Sequence, residues 1–212
     1  MSAHCDHHCE DGNPPADARY RRMLWIVLTI NATMFAVEVV SGLSSRSVSL
    51  LADSLDFLGD AANIGLSLFV LNMALRWRAR ASLLKAATMG LFALWIIGNV
   101  VYNAAFAVVP DATVMGGISV LALAANVGSA LLLYRYRGGD SNMRSVWLCT
   151  RNDAIGNIAV MAAALGVFGT ASGWPDLTVA VVMAGLAIWA SAQVARQALG
   201  ELRNGDAARG AA

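Results

Sequence analysis

Charge is scarce in this sequence. Only 14% of its 212 residues are Asp, Glu, Lys or Arg, where a soluble domain carries about 25%. The charge is also clumped. Between the clumps lie apolar runs of about 20 residues, the length that spans a bilayer. This leaves room for one small membrane domain and none for a second, soluble one. Cysteine is scarce too. Three Cys, with Cys5 and Cys9 near the N-terminus and Cys149 in an apolar run, make no disulfide framework. All three His lie within the first eight residues. No nucleophile–base pair is visible in the apolar runs, so an intramembrane enzyme is disfavoured. Residues Met1 to Asp17 contain no apolar stretch, so no secretory signal pattern is present. No basic stripe or aromatic platform appears, which argues against a nucleic-acid partner.

The apolar runs predict an all-α integral membrane protein with six transmembrane helices. The spans run from about Met23 to Leu43, Ser47 to Leu75, Leu83 to Val109, Thr113 to Tyr134, Ser145 to Thr170, and Pro175 to Val194. Pro110-Asp111 should end the third, and Pro175 suits the first turn of the sixth. Thirteen of the 15 basic residues fall before the first span, after the sixth, in the links between spans two and three and spans four and five, or, as Lys85, at the start of the third span. The positive-inside rule then makes both termini cytoplasmic. The chain divides into an N-terminal arm (1–22), the six-helix domain (23–198) and a short polar cytoplasmic tail (199–212), too short to fold alone.

The second span carries Asp53, Asp56 and Asp60. Each intramembrane Asp costs a few kcal/mol, about 2.5–3.5 on insertion scales, so three need a reason. Their i, i+3, i+7 spacing puts them on one helix face, which Asn63 and Ser67 extend. Crowded carboxylates repel unless protons or a cation neutralise them, and their oxygens suit divalent ions. Asp53, near the end of the span, also reads as a helix cap or a partner for Arg46.

In the fifth span Cys149 and Asp153 are one turn apart, and Ser145 and Asn157 continue the row. Asp56 and Asp60 with Cys149 and Asp153 would close a four-coordinate site, the number Zn²⁺ prefers. The thiolate moves preference toward Zn²⁺ or Cd²⁺ and away from Mg²⁺ and Ca²⁺. Glu38, on the first span with Asn31 seven residues earlier, stands outside that set. Glu38, Asp53 and Asn157 are candidates for a proton relay or for supporting the ligands from outside. The arm holds His4, Cys5, His7, His8 and Cys9, a tract of the kind that binds borderline metals.

The run Leu50 to Asp60 resembles the second-span signature of the cation diffusion facilitator (cation efflux) family, with Asp56 and Asp60 at its two ligand positions. The run from Asp153 resembles that family's second motif, where His-x-x-x-Asp is common; here Cys149 stands in place of His. The resemblance covers the first span through the sixth. It implies a transporter with no catalytic cofactor, usually a homodimer in the lipid bilayer of the cell membrane. The expected activity is alternating-access export of Zn²⁺, Cd²⁺, Co²⁺ or a related ion from the cytoplasm in exchange for protons. Many relatives carry a soluble C-terminal domain, and this sequence reads as a short form without one. The rival readings are a cation channel on the same acidic face and a membrane metal sensor centred on the arm.

Overall fold

Six α-helices form over the six apolar runs, and most continue past them. The computed structural model describes residues 18–69, 75–134 and 141–210, without the side chains of 18, 67, 69, 75, 76, 78, 141–152 and 204–210. The helices are α1 (Ala18–Ser45), α2 (Val48–Phe69), α3 (Leu75–Ala105), α4 (Ala112–Tyr134), α5 (Ser141–Thr170) and α6 (Trp174–Gly210). Hydropathy alone marks where a helix leaves the bilayer, not where it stops. The polar flanks are rich in Ala, Leu and Arg, which favour helix, so α3 starts at Leu75 rather than Leu83. For the same reason α6 runs through the expected tail to Gly210. At the start of α3, Arg80 lies 5.1 Å from the Trp77 ring centre, a cation–π contact.

Among the described residues, five helices are long and apolar enough to cross a membrane. The one left out is α2, whose three aspartates lower its hydropathy. Its 22 residues still give roughly 33 Å of helix at 1.5 Å per residue. The helix starts are capped as the sequence allows. Asp111 Oδ1 accepts from the amides of Thr113 at 2.9 Å and Val114 at 3.2 Å, capping α4. Pro175 is the second residue of α6, where its missing amide costs nothing.

The packing has two parts. Helices α1, α2, α5 and α4 touch in sequence around a closed ring, and α3 and α6 form a close pair against α2, with α6 also reaching α5. Within the ring, Leu50, Met115, Val160 and Val167 fill the end away from the chain termini. Tyr20, Leu24, Val27, Ile64 and Leu133 fill the other end. A polar layer lies between these apolar plugs. The α2–α3–α6 seam is built on Val48, Leu51, Leu55, Ile96 and Leu177. Small residues on α6 (Ala180, Ala184, Ala187) let the backbones approach.

Candidate metal centre

The polar layer draws on all four helices of the ring. Asp53 and Asp60 of α2 are buried, and Asp56 is half-buried between them. Across from them α5 presents Asp153 and Asn157. The carboxyls of Asp60 and Asp153 meet. Those of Asp53 and Glu38, the latter from α1, meet as well. The acidic face is thus arranged in two carboxyl pairs, with Asp56 between them in the chain.

Glu38 is 0% exposed. Written as two carboxylates, its contact with Asp53 has no donor, and both Glu38 oxygens are left without a hydrogen bond. One proton on either acid turns the contact into a hydrogen bond. The same holds for Asp60 and Asp153. Two touching carboxyls in a dry interior need a shared proton or a cation, because like charges at this range repel strongly.

An amide chain holds the Asp53 side of the layer. With its amide nitrogen facing α2, Asn157 donates to Asp53 Oδ1 at 3.2 Å and Oδ2 at 2.5 Å. Its oxygen accepts from Asn126 Nδ2 of α4 at 2.7 Å. This amide orientation is the one that satisfies both neighbours. Asn31 instead turns back on its own helix, donating to the Val27 carbonyl at 2.9 Å.

Close approach of α5 to α2 depends on Gly156. A Cβ there would lie 3.3 Å from Asp56 Oδ2, 3.3 Å from Met183 Cε and 3.5 Å from Asp53 Oδ1. A methyl fits only if these flexible ends yield by a few tenths of an ångström, while Ala gains about 1 kcal/mol of helix propensity over Gly. Gly156→Ala should therefore leave thermal stability near wild type. Gly156→Leu should drive the two helices apart and abolish metal-dependent stabilisation. A thermal-shift titration with Zn²⁺ on both variants checks this.

The structure thus brings Asp56, Asp60 and Asp153 into one layer, with Glu38, Asp53 and Asn157 beside them. Among the described residues, no three His, Cys, Asp or Glu side chains converge closely enough to hold a metal ion. Cys149 lies on α5 one turn before Asp153, but its side chain is outside the described residues, as are His4, Cys5, His7, His8 and Cys9. Asp53 neither caps α2 nor partners Arg46; it faces the ring interior. Asn63 accepts a hydrogen bond from Lys85 of α3 rather than extending the acidic layer.

Three contributors escaped the sequence reading. Asn126 gave a readable signal, since a lone Asn in an apolar span needs a partner. Gly156 gave none. Asp176 reads as an ordinary first-turn acid of α6, yet its carboxylate reaches α2. Oδ1 accepts from Ser47 Oγ at 2.7 Å and the Ser49 amide at 3.0 Å, and Oδ2 from the Val48 amide at 2.9 Å.

The profile of the cation efflux transmembrane domain matches residues 24–203. The chain belongs to the cation efflux family. It is a multi-pass membrane protein, and three of the relatives it resembles are named as metal efflux or transport proteins. One is the metal cation efflux system protein CzcD of Cupriavidus metallidurans, 25% identical over 174 residues, covering 76% of this chain and 55% of that protein. The cadmium, cobalt and zinc/H(+)-K(+) antiporter of Bacillus velezensis is 23% identical over 203 residues, covering 87% and 64%. The zinc transporter ZitB of Pectobacterium atrosepticum is 29% identical over 187 residues, covering 79% and 54%. The chain spans a little over half the length of the first of these curated relatives. The matched region of this cation efflux chain contains both carboxyl pairs and the amides that hold Asp53.

Proposed function

We infer that the chain exports a divalent transition-metal cation of the Zn²⁺, Cd²⁺ or Co²⁺ class from the cytoplasm in exchange for protons. The observation that carries this reading is the meeting of α2 and α5 carboxyls inside a ring of membrane helices. Buried acids in a membrane interior are costly and mark ion or proton pathways. The names of the relatives point the same way.

In this reading the termini are cytoplasmic, which the Lys and Arg distribution favours, and α2 crosses the membrane despite its three acids. An ion arriving from that side displaces the proton between Asp60 and Asp153 and is gripped by Asp56, Asp60, Asp153 and Cys149. Glu38 and Asp53, braced by Asn157, carry the proton that answers it. Protons from outside then weaken the ligands and release the ion. The site must bind well enough to load and loosely enough to unload. The arm with His4, Cys5, His7, His8 and Cys9 gathers metal at the entrance. Two copies form the working unit in the cell membrane.

The test is uptake into proteoliposomes under an imposed pH gradient, with internal metal and internal pH followed together. Metal and protons should move in opposite directions; metal flux without proton movement would mean a channel. Cys149→His should keep Zn²⁺ flux and lose preference for Cd²⁺, because imidazole is a less soft ligand than thiolate. An unchanged Cd²⁺/Zn²⁺ ratio would remove the thiol from the site.

A further inference from the structure

The helix that carries three of the acids is closed in at one end and looser at the other. From Ser47 to Leu55 no residue of the chain is more than 3% exposed. From Ala61 to Leu66 only Ile64 is fully buried. The closed end lies on the membrane face opposite the chain termini. Met115, Val160 and Val167 close its ring side, and α6 closes the other.

Asp176 is 1% exposed. Its two oxygens take the amides of Val48 and Ser49 and the hydroxyl of Ser47, all within 3.0 Å. Ser47 Oγ in turn accepts from the Leu50 amide at 3.2 Å. The first three amides of α2, which a helix cannot satisfy within itself, are therefore all engaged, two of them by a residue 127 or 128 positions away. A carboxylate at a helix N-terminus also meets the positive end of the helix dipole. Directly beneath, Leu177 and Ala180 of α6 pack on Val48 and Leu51.

We propose that Asp176 is a positioning residue for transport. It holds the start of the ligand-bearing helix α2 against α6 and keeps the acidic layer closed to the face opposite the termini. The inference rests on the transport reading above, in which the ion leaves by that face. To let it leave, the start of α2 must shift against the neighbours that close this end, α6 among them. A polar latch suits this duty better than further apolar packing. When it opens, water hydrates both the Asp176 carboxylate and the freed α2 amides, so the open state leaves no polar group orphaned. When it closes, the fan of hydrogen bonds restores one register of α2 against α6. Asp176 touches neither the ion nor Asp56, Asp60 or Asp153, and acts only through the helix that carries two of them.

The test uses a single reporter thiol in the seam. Ala180 is 0% exposed and nearly the size of Cys. In the full-length chain, with Cys5, Cys9 and Cys149 changed to Ser, Ala180→Cys is reacted with a membrane-impermeant maleimide added from the face opposite the termini. With Asp176 present, labelling should be slow. With Asp176→Asn, whose amide nitrogen offers donors to donors, it should quicken at least tenfold, and Asp176→Glu should restore most of the protection. Ser47→Ala, which removes the hydroxyl's bonds to Asp176 and from the Leu50 amide but spares the carboxylate, should fall between. Equal labelling in all four backgrounds, each eluting as a single folded species, would overturn the proposal. Labelling needs no metal flux, so failure of the latch and failure of the transport reading are distinguishable. With the native Cys restored, Asp176→Asn should raise the KM for metal loading at least threefold while kcat changes less. A merely structural role would lower the amount of folded protein and leave KM unchanged.

Discussion

Proteoliposomes containing Asp60→Ala should take up no Zn²⁺ above the rate of empty vesicles, while Asp60→Ala protein remains folded. Asp60 is buried, and its carboxyl meets Asp153 across the α2–α5 contact. Removing it does two things. On the transport reading it takes an anionic ligand from a site that needs several to offset the cost of stripping water from a divalent ion. It also breaks the Asp60–Asp153 acid pair, taking from Asp153 the carboxyl that touches it. Loss of a group that only supports a ligand costs about 10–100-fold in affinity, so loss of a ligand should exceed that. Folding should suffer less, because Ala removes a carboxyl from a crowd that repels itself. Asp60→Asn separates the two effects: it keeps the shape and one acceptor oxygen but not the charge, and should also be inactive. Wild-type flux from Asp60→Ala would place the ion elsewhere.

The second large effect should fall on stability. Asn157→Leu leaves Asp53 without its amide donor and Asn126 without its acceptor, in a layer that excludes water. Orphaning a buried polar group costs about 1–3 kcal/mol, and more where it is charged. The variant should lose about 2–4 kcal/mol, seen as a clear drop in melting temperature in detergent. The decisive comparison is a double variant. Asn157→Leu with Asp53→Leu removes donor and acceptor together, and should recover part of the loss that Asn157→Leu shows alone. If Asn157→Leu melts like wild type, the amide is not bonded to Asp53.

Much of this architecture was legible because two simple regularities carry it. The i, i+3, i+7 spacing of Asp53, Asp56 and Asp60 fixed one face of α2, and the fold turns that face into the ring. The run from Asp153 to Asn157 fixed the answering face of α5. The linked motifs named the family that the matched residues then showed. What stayed hidden is what depends on partners far away in the chain. Asp53 looked like a cap from its place near the end of a span, yet the cap is a carboxylate of α6. No local pattern distinguishes an acid that caps its own helix from one that caps another. Gly156 is one of 19 glycines, and only the crossing of α5 over α2 singles it out. Helix ends and span ends part company wherever a helix outlasts the membrane, as in α3 and α6, because hydropathy measures the solvent rather than the backbone.

The connections on the face opposite the termini have a practical consequence. Two residues separate α1 from α2, three separate α5 from α6, and six separate α3 from α4. Each link holds one non-glycine residue in the left-handed region: Arg46 at φ 58°, Ala171 at 49° and Ala107 at 49°. Such tight turns leave almost no chain for a protease to seize, since nicking needs an extended, yielding stretch. They offer an antibody little to grasp. An epitope tag meant to report on that side is best placed in the longest link, beside the exposed Val109 ahead of Pro110-Asp111. Everything else there is helix end, and a tag spliced into it would pull on the packing underneath.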